Sequence, residues 1–139
     1  MAKILVVEDE IHLQIAIEFI IQSIGHEVIK AFNKQDALTE FQKSNPDLII
    51  LDIMMPESSN DAGNIQPNAG LDVFRAIHKQ NDQVPIIILS IKAKSIDITD
   101  DIKADAFLTK PFSTEDLINC VHRLLNKEAE SEDEEKKYC

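Results

Sequence analysis

Two hydrophobic patterns alternate along the chain. Short aliphatic runs without polar alternation stand at "KILVV" (3–7), "EVIKAF" (27–32), "DLIIL" (47–51), "PIIIL" (85–89) and "DAFLT" (105–109). Unalternating, β-branched runs of this length read as strands buried on both faces. Between them, apolar residues recur at helical spacing. The first such stretch carries Leu13, Ile17, Ile20, Ile21 and Ile24, with Gly25 placed as a C-cap. The second starts at Asn33, with Asp36 three residues on, and carries Ala37, Leu38 and Phe41; a third follows Gly70 through Leu71, Phe74, Ile77 and His78. The last starts at Ser113, with Asp116 at its third helical position, and continues through Leu117, Val121, Leu124 and Leu125. The stretch "SIKAKSIDITDDIK" (90–103) holds the β-branched Ile96, Ile98 and Ile102, so a helix there is expected to be short or irregular. Strand and helix alternating in this way predict an α/β fold: a doubly wound parallel sheet with helices on both faces.

Composition narrows the picture. Hydrophobic residues make up 44% and aromatics 5%, so the core must be mostly Ile, Leu, Val and Ala. At 139 residues the chain fits one domain with a sizeable core. A formal net charge of -11 argues against direct nucleic-acid binding, which needs clustered Lys and Arg, and against an anionic membrane surface. No apolar run approaches the ~20 residues of a membrane span, and "MAKILVVEDE" lacks the layout of a signal peptide. Cys120 and Cys139 form neither a disulfide framework nor a metal-ligand spacing. Cys120 reads as a small core residue and Cys139 as part of a loose end. The last thirteen residues, "KEAESEDEEKKYC" (127–139), hold six acids and no apolar face, and read as a disordered acidic tail. Together these features predict a soluble, reduced, cytoplasmic protein, and the irregular stretch within 90–103 favours a monomer over a dimer through that face.

The polar residues that interrupt the strand ends carry the chemistry. In open α/β sheets, ligands gather beyond the carboxyl ends of the strands. There strand one ends in Glu8, Asp9 and Glu10, strand three in Asp52, strand four in Ser90, and strand five in Thr109 and Lys110, followed by Pro111. Carboxylates converging on one crevice repel each other strongly unless a cation sits among them. Hard oxygen donors at few positions suit Mg²⁺ with several retained waters, with Mn²⁺ as a substitute. A lysine across the crevice can balance added negative charge. The three glycines, Gly25, Gly63 and Gly70, form no phosphate-cradling loop.

The set "ILVVEDE", "LIILDIMMP", "IIILS" and "ADAFLTKPF", in this order and spacing, resembles the receiver domain of two-component response regulators over residues 3–126. The resemblance implies a flavodoxin-like five-stranded sheet of order 2-1-3-4-5, with 1–126 as the receiver domain. It implies Asp52 as the phosphoacceptor, fed by a histidine kinase or a histidine phosphotransfer protein. Asp9 would be a direct Mg²⁺ ligand, joined by Asp52, by Glu8 directly or through water, and by the backbone carbonyl of Met54. Ser90 would hydrogen-bond the phosphoryl group, Lys110 would neutralise one of its oxygens, the Lys110–Pro111 peptide would be cis, and Phe107 would be the aromatic switch. Such a protein is not an enzyme beyond its own phosphorylation and dephosphorylation, and it acts on a downstream protein partner that the sequence does not name.

Several positions depart from the family pattern. Glu8 replaces the commoner aspartate, Phe107 lacks a tyrosine hydroxyl, Ile91 replaces a small residue, and Lys103 replaces a glycine. Met54 and Lys92 occupy positions where the family tunes phosphoryl lifetime. Residues 57–69 form a polar loop insertion after strand three, rich in Ser, Asn, Asp and Gly. Competing readings are a non-phosphorylated receiver-like interaction module and the receiver piece of a longer regulator. A haloacid-dehalogenase-type phosphatase needs an acid where Met54 stands, and a flavodoxin needs a phosphate loop where "EDE" stands.

Overall fold

The computed structural model describes residues 1–54, 56, 58, 60, 69–90 and 104–126. Five strands form one parallel sheet: β1 (Lys3–Val7), β2 (Glu27–Ala31), β3 (Leu48–Asp52), β4 (Ile86–Ser90) and β5 (Ala106–Thr109), in the order β2-β1-β3-β4-β5. Four helices lie among the described residues: α1 (Ile11–Ser23), α2 (Lys34–Ser44), α3 (Ala69–Gln80) and α4 (Thr114–Leu125). The doubly wound sheet of order 2-1-3-4-5 is therefore present as expected. The irregular helix expected within 90–103 and the acidic tail with Cys139 lie outside the described residues.

Alternation along each strand divides the core into two layers. Leu5, Val7, Ile49, Leu51, Ile86 and Ile88 pack against α2 and α3 through Phe41, Phe74 and Ile77. Ile4, Val6, Leu48, Ile50, Ile87 and Leu89 pack against α1 and α4 through Ile17, Ile21, Leu117 and Val121. Both faces of β3 and β4 are buried, which is why their sequences show no polar alternation. Each fully buried Ile or Leu contributes about 2 kcal/mol of burial. Cys120 lies buried in the α1/α4 layer, as its apolar neighbours suggested.

The ends of the elements follow local chemistry. α1 closes with the two hydrogen bonds of a Schellman turn, His26 N–H to Ile21 O and Gly25 N–H to Gln22 O, with Gly25 at φ 93. Asn33 caps α2 by accepting from the Asp36 N–H, and Ser113 caps α4 by accepting from the Asp116 N–H. Asp52 and Ser90 are the last residues of β3 and β4, as expected. One boundary differs from the sequence reading. α3 starts at Ala69, so it takes the last residue of the polar 57–69 stretch and has Gly70 in its first turn.

Acids at the opposite end of the sheet serve the backbone. Asp47 accepts from the Lys3 N–H at 2.8 Å, and Asp105 accepts from the Ile86 N–H at 2.9 Å. Both carboxylates extend the ladder at strand N-termini.

Candidate functional site

The turn after β1 sorts its three acids into separate tasks. Glu10 caps α1: its carboxylate accepts from the His12 and Leu13 N–H groups at 3.2 and 2.9 Å. Those backbone bonds, led by Leu13, hold its pKa below the ordinary glutamate value. Glu8 turns inward and is 1% exposed. Its backbone N–H continues the ladder to Ala31 O at 3.0 Å, and its Oε2 accepts from the Glu10 N–H at 3.1 Å. Asp9 stands half-buried between them.

Asp52 closes the crevice from β3. It is 4% exposed, and its Oδ1 accepts from the Met54 N–H at 3.3 Å. The carboxylates of Glu8, Asp9 and Asp52 each offer an oxygen within 4.8 Å of the others. Lys110 reaches in after β5, with Nζ 2.8 Å from Glu8 Oε1 and 3.4 Å from Asp52 Oδ2. Its own N–H donates to Ser90 O, which locks the loop after β5 onto the end of β4. The Lys110–Pro111 peptide is cis.

One ammonium faces three carboxylates here, and the titration of the groups shows the imbalance. Burial first, and then the Glu8 charge, push the Asp52 carboxyl up to about 7, against the relief given by Lys110 and the Met54 N–H. Asp9 is raised for the same two reasons in the same order. Burial works against the Lys110 ammonium, but Asp52 and Glu8 outweigh it and hold its pKa above the ordinary lysine value. A crowded, desolvated set of hard oxygen donors fits a divalent cation, which would relieve the repulsion that raises Asp52.

The structure brings Glu8, Asp9, Asp52 and Lys110 into one cluster. Ser90 ends the neighbouring strand at 2% exposure, and its buried Oγ has no hydrogen-bond partner among the described residues. A buried hydroxyl left this way costs about 1–3 kcal/mol unless a ligand supplies the partner. Met54 is 40% exposed at the mouth. Phe107 is 7% exposed and packs in the α2/α3 layer. Ile91, Lys92, Lys103 and most of 57–69 lie outside the described residues. His12 is exposed on α1.

Three features escaped the sequence reading. Gln14 is fully buried and donates to the carbonyls beneath Glu8; its signal was a polar residue on the inward stripe of Leu13, Ile17 and Ile21. Gly70 lies against the Asp52–Ile53 backbone, with its N–H bonded to Ile53 O at 2.8 Å. Ile11, Ile15 and Phe19 form an outward stripe at 55%, 53% and 73% exposure. Their i, i+4, i+8 spacing was visible, running beside the core stripe.

Comparison with known proteins agrees with this geometry. The profile of the response regulator receiver domain matches residues 4–122. The probable transcriptional regulator ycf27 of Cyanophora paradoxa is 36% identical over 127 residues, which cover 90% of this chain and 48% of that protein. The sensory transduction protein RegX3 of Mycolicibacterium smegmatis is 30% identical over 135 residues, covering 96% of this chain and 54% of that protein. The chain thus spans about half the length of the curated relatives it matches. A response regulator receiver domain protein from Clostridium thermocellum superposes with a TM-score of 0.75 at 28% identity, covering 93% of this chain and 98% of that one. Among the described residues, no helix is long and apolar enough to cross a membrane. With its carboxylate cluster and lysine at the switch point of a 2-1-3-4-5 sheet, this chain belongs to the response regulator receiver domain family of two-component signalling.

Proposed function

We propose that Asp52 accepts a phosphoryl group from the phosphohistidine of a histidine kinase or histidine phosphotransfer protein, with residues 1–126 forming the receiver domain. The observation that carries the reading is a buried carboxylate with raised pKa, placed against two further acids and a lysine, beside a buried hydroxyl without a partner among the described residues. Asp9 and Asp52, with Glu8 and the Met54 carbonyl, are the groups that would hold Mg²⁺. When bound, Mg²⁺ neutralises charge on the transferring phosphoryl oxygens.

The chain's own residues do the rest. An Asp52 oxygen attacks phosphorus, the phosphorus–nitrogen bond to the donor imidazole breaks, and the imidazole leaves with the electron pair and takes up a proton. Lys110 lies close enough to exchange its Glu8 and Asp52 contacts for a phosphoryl oxygen. Ser90 Oγ donates its hydrogen to another. Added charge of about -1.5 to -2 on Asp52 thereby draws the ends of β4 and β5 inward. Phe107 on β5 is the group whose repacking reports the change to a downstream protein partner. Residues 57–69 act as a surface insertion beside the site and 127–139 as an acidic tail, in a cytoplasmic monomer whose reaction is confined to its own phosphorylation and dephosphorylation.

Acetyl phosphate tests this without a kinase. With Mg²⁺, intact-mass measurement is expected to show one phosphoryl adduct, absent with chelator and absent in Asp52→Asn. A folded wild type that takes no adduct would overturn the reading in favour of a non-phosphorylated interaction module.

In this reading the donor protein docks on the outward stripe of α1. Ile11 follows directly on the Glu8–Glu10 turn, so the stripe runs from the mouth of the crevice along the helix, and no fully exposed position on α1 carries a charge. In a chain of net charge -11 that neutral apolar face lets a partner approach Asp52 without facing like charge. Phe19→Ser is expected to leave acetyl phosphate labelling and stability unchanged, because the ring is exposed. Transfer from a panel of autophosphorylated histidine kinases should slow about tenfold or more for the kinase that labels the wild type fastest. Equal transfer rates would remove α1 from the interface.

A further inference from the structure

Gln14 sits where a helix of this kind would ordinarily carry an aliphatic residue. It lies on the stripe of α1 that faces the sheet, between Leu13 and Ile17, and is fully buried. Its Nε2 lies 3.1 Å from three carbonyl oxygens, Val6 O, Glu8 O and Ala31 O, which share its two hydrogens. Its Oε1 is buried and has no partner among the described residues. Exchanging the two amide atoms would point an acceptor at three acceptors, so the donor assignment follows from the surroundings. An aliphatic side chain would fill the same space without a buried, unpartnered oxygen. The two N–H donors shared among these three carbonyls are what the glutamine supplies, at the end of β1.

There the strand ladder runs out. β2 stops at Ala31, whose carbonyl already accepts from the Glu8 N–H at 3.0 Å. The Gln14 amide adds one more rung beyond that point and takes the Glu8 carbonyl. The Glu8 residue is thereby held at both its N–H and its C=O, and the Glu8–Asp9 peptide is fixed relative to β2 and α1 together. Two of the three clustered carboxylates project from this segment. Resting on the reading of Glu8, Asp9 and Asp52 as the cation donors, we propose that Gln14 is a positioning residue of the cation site: its buried amide sets the backbone that presents Glu8 and Asp9. It touches no reacting atom. Its effect passes through the peptide it holds, as outer-shell partners of metal sites tune the ligands they orient.

The test is calorimetric titration of the metal-free protein with Mg²⁺, together with hydrogen exchange at the Glu8 amide. The variants are Gln14→Met (similar length without donors), Gln14→Asn (amide kept, reach shortened) and Ile21→Val. Ile21 is a buried core residue of the same helix and controls for general loss of stability. Gln14→Met is expected to bind Mg²⁺ about 10- to 100-fold more weakly than wild type, with the Glu8 amide exchanging faster. Gln14→Asn should fall between the two, and Ile21→Val should match wild type in affinity. If Gln14→Met does not fold, the Asn and Val variants carry the same comparison. A wild type that binds Mg²⁺ while the Gln14 variants bind equally well overturns this proposal alone. A folded wild type that gives no heat with Mg²⁺ overturns the cation reading itself, and this proposal with it.

Discussion

Gly70→Ala is expected to destabilise the protein by about 3 kcal/mol or more, and to do so by moving the reactive segment. A Cβ at this position would lie 2.4 Å from Asp52 O, 2.4 Å from Ile53 Cα and 2.6 Å from Ile53 O. All three contacts are backbone, so no side-chain rotation relieves them. Alanine in a helix is otherwise favoured over glycine by about 1 kcal/mol, and that gain is smaller than the cost of parting α3 from the end of β3. The same close approach lets the Gly70 N–H reach Ile53 O at 2.8 Å, a bond the shift would also lengthen. Chemical denaturation should show a lower midpoint with an unchanged slope, and thermal unfolding a drop on the order of 10 °C. A variant as stable as wild type would mean that α3 packs farther from β3 than described.

The second large effect is a pH-dependent instability centred on Asp52. Its folded value of about 7 stands well above the ~3.9 of an unfolded aspartate, so the folded state holds the proton more tightly. Between those values the folded chain binds more protons than the unfolded chain, and stability falls as pH rises from about 4 to about 7. Below that window the group's favourable contribution is complete; above it the loss is complete. Between pH 5 and pH 8 the group alone removes about 2 to 3 kcal/mol, at 1.36 kcal/mol per unit. The half-buried Asp9, also raised, acts with the same sign. Asp52→Asn keeps the shape and removes the charge, so in chelator it should be more stable than wild type at pH 8 and similar to it near pH 4. Excess Mg²⁺ should shrink the gap at pH 8, because a cation among the carboxylates favours their charged form. Urea melts of both proteins at several pH values decide the matter. Parallel stability profiles would show that Asp52 is not held in a strained ionised state.

Those two residues also mark the line between what local sequence carries and what it does not. Asp52 was legible because a strand buried on both faces tolerates no carboxylate in its interior. Its place after "LIIL" therefore pointed to a strand end and a crevice. Glu10 was read with its neighbours as part of an acid cluster, and the structure makes it the α1 cap; a cap and a ligand are the same residue type until the chain direction is known. Asp47 and Asp105 show the converse, strand-flanking acids whose carboxylates only complete backbone ladders. Gly70 was visible as the start of a helix, but its reason is the backbone of Asp52 and Ile53 at the end of β3. Gln14 went unread: its place on the inward stripe was visible, but an isolated helix gives no sign that three carbonyls wait beneath it.

The sequence by itself determined the strand and helix series, the doubly wound class and the polar residues that end the strands. Hydrophobic periodicity and the polar residues at strand ends are local properties, and four motifs in order carry a family resemblance. Tertiary structure alone decided that Lys110 bridges Glu8 and Asp52, that Ser90 is left without a partner among the described residues, that Gln14 holds the Glu8 peptide, and that Gly70 admits no side chain. Each of these depends on distances of a few ångströms between segments far apart in the chain, and such distances are set by how the layers pack.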